Sequence, residues 1–245
     1  MIVSINQPAY LPWLGYFHRI AVSDLHIVLD HVQFEKNSFS NRNKIRTAAG
    51  SSMLTVPLRT KGKFGELALN QVEIVKEDNW ARKHWSSISQ SYAQAPYFAE
   101  HKAVFAGFFQ QSWTKLFEVV RAMTEYQLEA FGIKTPFLFS SELKVPGSKD
   151  ELVLNLCQKV GANTYLSGPL GRNYLRPELF ESACIKVLYH DYCHPTYTQT
   201  YPGFEPYMAA IDVLFNCGPQ SLDIIKSCND EFERSLRPAK EGIAS

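Results

Sequence analysis

Three stretches of the chain hold residues whose types and spacing can do chemistry. The first, "INQPAYLPWLGYF" from Ile5, offers the amides of Asn6 and Gln7 and the flat faces of Tyr10, Trp13 and Tyr16, with the imidazole of His18 just beyond. The second, "DHVQFEKNSFSNRNKIR" from Asp30, brings Asp30, Gln33, Lys36, Asn41, Arg42, Asn43 and Lys44. The third, "SGPLGRNYL" from Ser167, supplies Ser167, Gly168, Gly171, Arg172, Asn173 and Tyr174. Guanidinium and ammonium groups hold phosphate or carboxylate oxygens, and glycine-rich backbone exposes amide donors to them. Aromatic faces stack on a ring or a sugar. Asp30, His18 or Asp212 then stands as the group that takes a proton from an attacking amine.

Each of these residues also has a plainer use. The aromatics can pack a loop, "SGPLG" can be a turn, and "NRNKIR" can be a solvated face. Asp212 lies in the apolar stretch "AAIDVLFNCG" and needs a partner if it is buried, whether as a site carboxylate or as a cap to a neighbouring loop. What favours chemistry is that plain connections need only about two to six residues.

The elements that must position these stretches follow an α/β pattern. "IVSI" and "LHIVLD" read as buried strands, and the "GYFHRIAVS" between them reads as a short helix with Phe17, Ile20 and Ala21 on one face. Strand, helix, strand implies a parallel sheet with a right-handed crossover. "MLTVPL" is expected as a third strand and "ALNQVEIV" as a fourth. From Trp80 to Phe131 the pattern turns helical in three segments, with starts at Asp78 or Asn79 and at Ser112 and a stop at Gly132. A strand in "TPFLFSSEL", a helix from Ser148 to Gly161, strands in "NTYLSG" and "CIKVLYHDY" and two short helices then complete the α/β pattern. The division expected is a first half of the α/β core over 1–75, a helical insertion over 76–132, a second half over 133–228 and a frayed polar tail over 229–245. In parallel sheets ligands bind beyond the carboxyl ends of the strands, and all three stretches leave such ends.

The totals bound the function. A chain of 245 residues with 45% hydrophobic and 20% charged side chains is a globular composition. The net charge of +1 argues against bulk electrostatic binding to nucleic acid. The absence of any run of about 18 apolar residues argues against a membrane span. Five cysteines, odd in number and without a C-x-x-C pair, are expected as reduced thiols in the cytoplasm. "HDYCH", from His190 to His194, is the cluster that hints at metal, and hydrogen-bonding roles outweigh that hint, so no metal ligands are assigned. No G-x-S-x-G, G-x-x-x-x-G-K-[ST] or G-x-G-x-x-G motif is present.

"INQPAYLPWLGYF", "SDLHIVLDHVQFEKNSFSNRNKI", "LTVPL", "TYLSGPLGRNYL" and "AAIDVLFNCG" together resemble the WbqC-like protein family, in the family's order and over nearly the whole chain. The resemblance implies a bacterial protein associated with surface-polysaccharide (O-antigen) gene clusters, with a glycine- or acyl-transferring role attached to some members. The opening strand, loop and helix are similar, more distantly, to HIGH-type nucleotidyltransferases. That likeness implies a Rossmann-like parallel sheet, although Trp13 and Tyr16 stand at the two histidine places of the His-x-Gly-His element.

Two functions follow as expectations. One is a transferase or ligase forming an amide or ester on an amino sugar or related metabolite. Its acyl group is either activated in the site by ATP with magnesium or delivered already activated. The other is a binding module for a nucleotide-linked sugar or carrier that performs no chemistry. In both, the partner is a small molecule.

Overall fold

The computed structural model describes residues 1–62, 65 and 67–237. β1 (Ile2–Asn6) is buried along its whole length, as its apolar run requires of a central parallel strand. The chain then passes through α1 (Leu14–Ala21) to β2 (Leu25–Val28), which lies parallel to β1 with Ser4 opposite His26 and Asn6 opposite Val28.

β3 (Arg42–Thr47) and β4 (Gly50–Thr55) come next and form an antiparallel hairpin outside the main sheet. The basic stretch expected as a loop is therefore half strand. Its alternation is real but is written in polar residues: Asn43 and Ile45 point inward while Arg42 and Lys44 are half exposed. "ALNQVEIV" is not a strand either. It makes a single turn over Leu69–Gln71, and the segment after it, with Val72 and Ile74 buried, joins its neighbours through isolated bridges, Leu58 to Ile74 and Glu73 to Lys115.

Three helices follow: α2 (Trp80–Ser91), α3 (Phe98–Gln110) and α4 (Leu116–Ala130). α4 starts later than Ser112 because Glu118 accepts hydrogen bonds from the backbone N–H groups of Thr114 and Lys115 and fixes the first turn there. The second stretch of α/β pattern runs through β5 (Phe137–Phe139), α5 (Ser140–Leu143), α6 (Lys149–Lys159), β6 (Thr164–Ser167), α7 (Pro177–Ser182) and β7 (Lys186–Tyr189). α8 (Ile211–Cys217), α9 (Ser221–Lys226) and α10 (Asp230–Leu236) finish the described chain.

The main sheet is parallel throughout, in the order β5-β2-β1-β6-β7. The chain enters at the centre, winds outward through β2 and β5, returns to the other side of β1 and winds outward again through β6 and β7. This is a Rossmann-like α/β fold, and the reversal puts its topological switch point between β1 and β6. One face of the sheet, with Val3, Ile5 and Tyr165, packs on Leu152, Val153 and Leu156 of α6 and Phe180 of α7. The opposite face is covered by α1 and its neighbours, and near one end Ile2, Val22 and Leu166 meet Leu236.

Leu236 marks a correction to the tail expected to fray. α10 docks through Leu236 and Phe232, spaced four residues apart on one face, and Arg237 donates to Asp24 at 2.5 Å. Residues 238–245 of that expected tail lie outside the described residues.

Candidate functional site

The opening stretch acts as a strap. The Tyr10 N–H donates to the carbonyl of Phe39 (3.1 Å), the Asn43 side-chain amide donates to the carbonyl of Leu11 (2.5 Å), and the Ala210 N–H donates to the carbonyl of Pro12 (2.8 Å). Tyr10 is fully buried, and its hydroxyl meets Nδ1 of His84 at 2.8 Å. Trp13 bridges to Ala209 and stands edge-on to Tyr192. Its indole lies where a Cβ on Gly15 would be, so a glycine is needed there. Tyr16 is buried against Phe17 and His26, and burial raises its pKa. The costly residues therefore lace the sheet to the β3–β4 hairpin and α8. The ring of Tyr10 is enclosed by protein neighbours, and that of Tyr16 is buried but borders a cavity with Pro8, His26 and Phe117.

The second stretch separates into structural pieces. The Asp30 carboxylate accepts from Ser140 Oγ (3.0 Å), Ser141 N–H (2.9 Å), Ser141 Oγ (2.6 Å) and Asn70 Nδ2 (3.2 Å). Burial opposes its charge, but the hydrogen bonds from Ser141, Asn70 and Ser140 outweigh that and hold its pKa below the usual range. It ties the end of β2 to the start of α5. Gln33 spans Leu67 N–H and the Phe34 carbonyl, Asn41 donates to the Val56 carbonyl, and Arg42 donates to the Asn37 carbonyl. Lys36 is exposed, and the Lys44 carbonyl accepts from Ala209.

Asp212 lies in a different network. It is fully buried and accepts from Tyr92 (2.8 Å), Tyr197 (2.8 Å) and Gln199 (2.9 Å), and burial raises its pKa. Nearby Arg46 donates to four carbonyls, those of Thr47, Gly50, Pro202 and Gly203. The partner that Asp212 needs is thus supplied by two tyrosines and an amide.

The switch point is built differently. The β1–β6 pairing ends with Ser4 opposite Leu166, and Asn6 and Gly168 each lie two residues further on, at the same end of the two strands. Asn6 is only 5% exposed, yet both polar atoms of its side chain lack a hydrogen-bond partner among the described residues. Gln7 beside it is half buried. Arg19, in the last turn of α1, presses its guanidinium on Gly168, where a Cβ would overlap Nη1. At the end of β7, His190 Nε2 faces His18 Nδ1 at 2.8 Å, and His18 Nε2 faces Glu233 Oε1 at 3.2 Å. Ser167 is buried and donates to the Gly168 carbonyl (3.1 Å). Arg172 is held on Asp191 by two hydrogen bonds (2.8 and 2.6 Å) and stacks on Tyr189, so its charge is already matched. Asn173 and Tyr174 are exposed on the same loop.

The three candidate proton acceptors therefore sit in three separate networks. His18 alone joins the switch-point end of the sheet. The "HDYCH" members also diverge, with His190 on His18, Asp191 on Arg172 and His194 on the Pro195 carbonyl. Among the described residues no three His, Cys, Asp or Glu side chains converge as a metal would need.

The profile of the WbqC-like protein family matches residues 7–224. The chain belongs to the WbqC-like protein family. It is 33% identical over 228 residues to an uncharacterized protein of Mycobacterium tuberculosis (strain ATCC 25618 / H37Rv), Rv1507c, covering 92% of this chain and 98% of that one. No solved structure matches it significantly. Among the described residues no helix is long and apolar enough to cross a membrane, and all five cysteines are unpaired.

For this WbqC-like chain, sequence reasoning missed Arg19, His190 and Glu233 as site residues. Arg19 is hidden in an amphipathic helix pattern, and His190 entered only within "HDYCH", where a hydrogen-bonding role outweighed the hint of metal. Glu233 fell in the segment expected to fray. The available signal was Phe232 and Leu236, an apolar pair that marks a docked helix with Glu233 beside it.

Proposed function

We propose that this protein is a transferase or ligase that forms an amide or ester, by glycyl or other acyl transfer, on an amino sugar or related small metabolite in polysaccharide biosynthesis. The observation that carries this reading is the His190–His18–Glu233 chain beside the switch point. A carboxylate can only accept, so His18 donates from Nε2 to Glu233 and keeps a lone pair on Nδ1. His190 then donates to it from Nε2, which leaves Nδ1 of His190 as a lone pair. That nitrogen makes no hydrogen bond to any described residue. Once a bound anion raises its basicity, it can take the proton of an amine as the new C–N bond forms and the leaving group departs with its bonding electrons.

Burial, followed by Arg19 and His18, lowers the His190 pKa to about 2. Proton uptake here therefore calls for a negative charge brought in beside Arg19. A second reading, a binding module for a nucleotide-linked sugar without chemistry, is favoured by Trp13 and Tyr16. Both are packed in the protein, and neither offers the imidazole that a His-x-Gly-His element would have at its place.

The test is incubation of the protein with amino sugars and glycine or short acyl donors, with and without ATP and magnesium, read by mass spectrometry. An acylated sugar that disappears in His190→Asn supports the enzyme. Tight sugar-nucleotide binding with no product from any donor, activated or not, favours the module.

A further inference from the structure

We infer that Arg19, Asn6 and the Gly168 turn form an oxyanion site, which holds the phosphate or carboxylate of the molecule this protein works on. The inference takes the purpose of the site from the proposed function but stands on its own geometry.

Arg19 is half buried, and no carboxylate pairs with it among the described residues. Other guanidiniums each have at least one partner: Arg46 donates to four carbonyls, Arg42 to that of Asn37, Arg172 to Asp191 and Arg176 to Asp150, although Nε of Arg42 and of Arg46 is also left without one. Nε of Arg19 is buried without a partner. Its charged neighbours by class are Tyr16, Tyr165 and Tyr174, whose hydroxyls burial keeps neutral, and the histidines His26 and His190, which burial also keeps neutral. The end of α1 offers Arg19 the negative pole of a helix of eight residues, roughly half a charge at most. An enclosed cation left that short of negative charge is costly, and so is a buried amide with neither donor nor acceptor used.

Both deficits meet at the same place, the carboxyl end of β1 at the switch point, where Rossmann-like sheets bind ligands. An oxyanion removes both. The guanidinium fork takes two oxygens, and Nδ2 of Asn6 donates to the anion or its Oδ1 accepts from an adjoining hydroxyl. Gly168 has an ordinary extended φ of −68°, so it is glycine for space, to admit the guanidinium.

The site is tested by calorimetric titration of the full chain with inorganic phosphate, pyrophosphate and acetate. Binding of phosphates alone identifies a phosphate site, and binding of acetate alone a carboxylate site. In either case Arg19→Gln is expected to weaken binding by at least tenfold, and Arg19→Lys by less, because the ammonium keeps the charge but loses the fork. Asn6→Asp, which sets a carboxylate against Arg19 without removing it, is expected to abolish anion binding in a protein that still melts cooperatively. A wild-type chain that binds none of the three anions, or an Arg19→Gln chain that binds them as well as wild type, overturns the site. Acyl transfer at unchanged KM in Arg19→Gln overturns this site and spares the enzyme. Anion binding lost in Arg19→Gln, without turnover by wild type, does the reverse.

Discussion

Glu233, on the last described helix, accepts a hydrogen bond from His18, on the first, across 3.2 Å and 215 positions of sequence. Lys226 pairs with the other oxygen of Glu233 at 3.1 Å and holds the carboxyl group facing His18. The last described helix in the chain thus sets the tautomers of two imidazoles at the sheet edge.

That arrangement makes a spectroscopic prediction. Long-range proton–nitrogen NMR of the neutral protein should find both His18 and His190 protonated on Nε2. In Glu233→Ala the preference should weaken, with a loss of about 1 kcal/mol of stability for the hydrogen bond. Nδ1 protonation of His18 in the wild type would contradict the chain as drawn.

Asp30 looks from sequence like a base, but its four accepted hydrogen bonds make it a clamp. Replacement by Asn puts an amide NH2 against at least one of the donors from Ser141 or Asn70. The expected cost is about 1–3 kcal/mol in urea unfolding. A stable Asp30→Asn protein that lacks only activity would restore Asp30 as a catalytic group.

Arg46 reaches carbonyls on two sides, Thr47 and Gly50 within its own hairpin and Pro202 and Gly203 across from it. A lysine is a point donor and cannot span both. Arg46→Lys should therefore lower stability by about 1–3 kcal/mol, with the loss traced by hydrogen exchange to the hairpin and to the segment around Pro202. Equal stability would mean that one side of the latch suffices.

The strands of the main sheet were legible because buried parallel strands read as short apolar runs, as "IVSI" and "NTYLSG" do. The hairpin strand Arg42–Thr47 was not, because polar side chains carry its alternation and Arg46 is buried on carbonyls rather than on apolar groups. Strand order was beyond the sequence for a different reason. β1 pairs with β6 across some 160 residues, and nothing local to either strand names its neighbour. The opening motif drew attention for its cost, and the explanation lies in the far side of the molecule, at Asn43, His84 and Ala210. Arg19, on which the proposed anion site rests, is ordinary in sequence. What sets it apart is a guanidinium that no described carboxylate or carbonyl takes up.

The buried histidines fix how stability responds to acid. Burial lowers the pKa of His18 to about 4, His26 to about 3, His84 to about 4 and His190 to about 2, against an ordinary value of 6.5. Below 6.5 the unfolded chain takes up protons that these side chains refuse in the fold, so the unfolded state gains. Stability is complete above that pH and declines as pH falls toward 4, by on the order of 1 kcal/mol per pH unit for each such histidine. Asp212, whose pKa burial raises, works the opposite way, favouring the fold as it takes up its proton, and offsets part of the slope. The urea midpoint should therefore drop steadily from neutral pH downward. His190→Asn should start lower at neutral pH and fall less steeply, because one refused proton is gone from the fold. A midpoint that stays level across that range would mean the histidines are hydrated and charged, and the relay from His190 to Glu233 would then have no neutral tautomers to order.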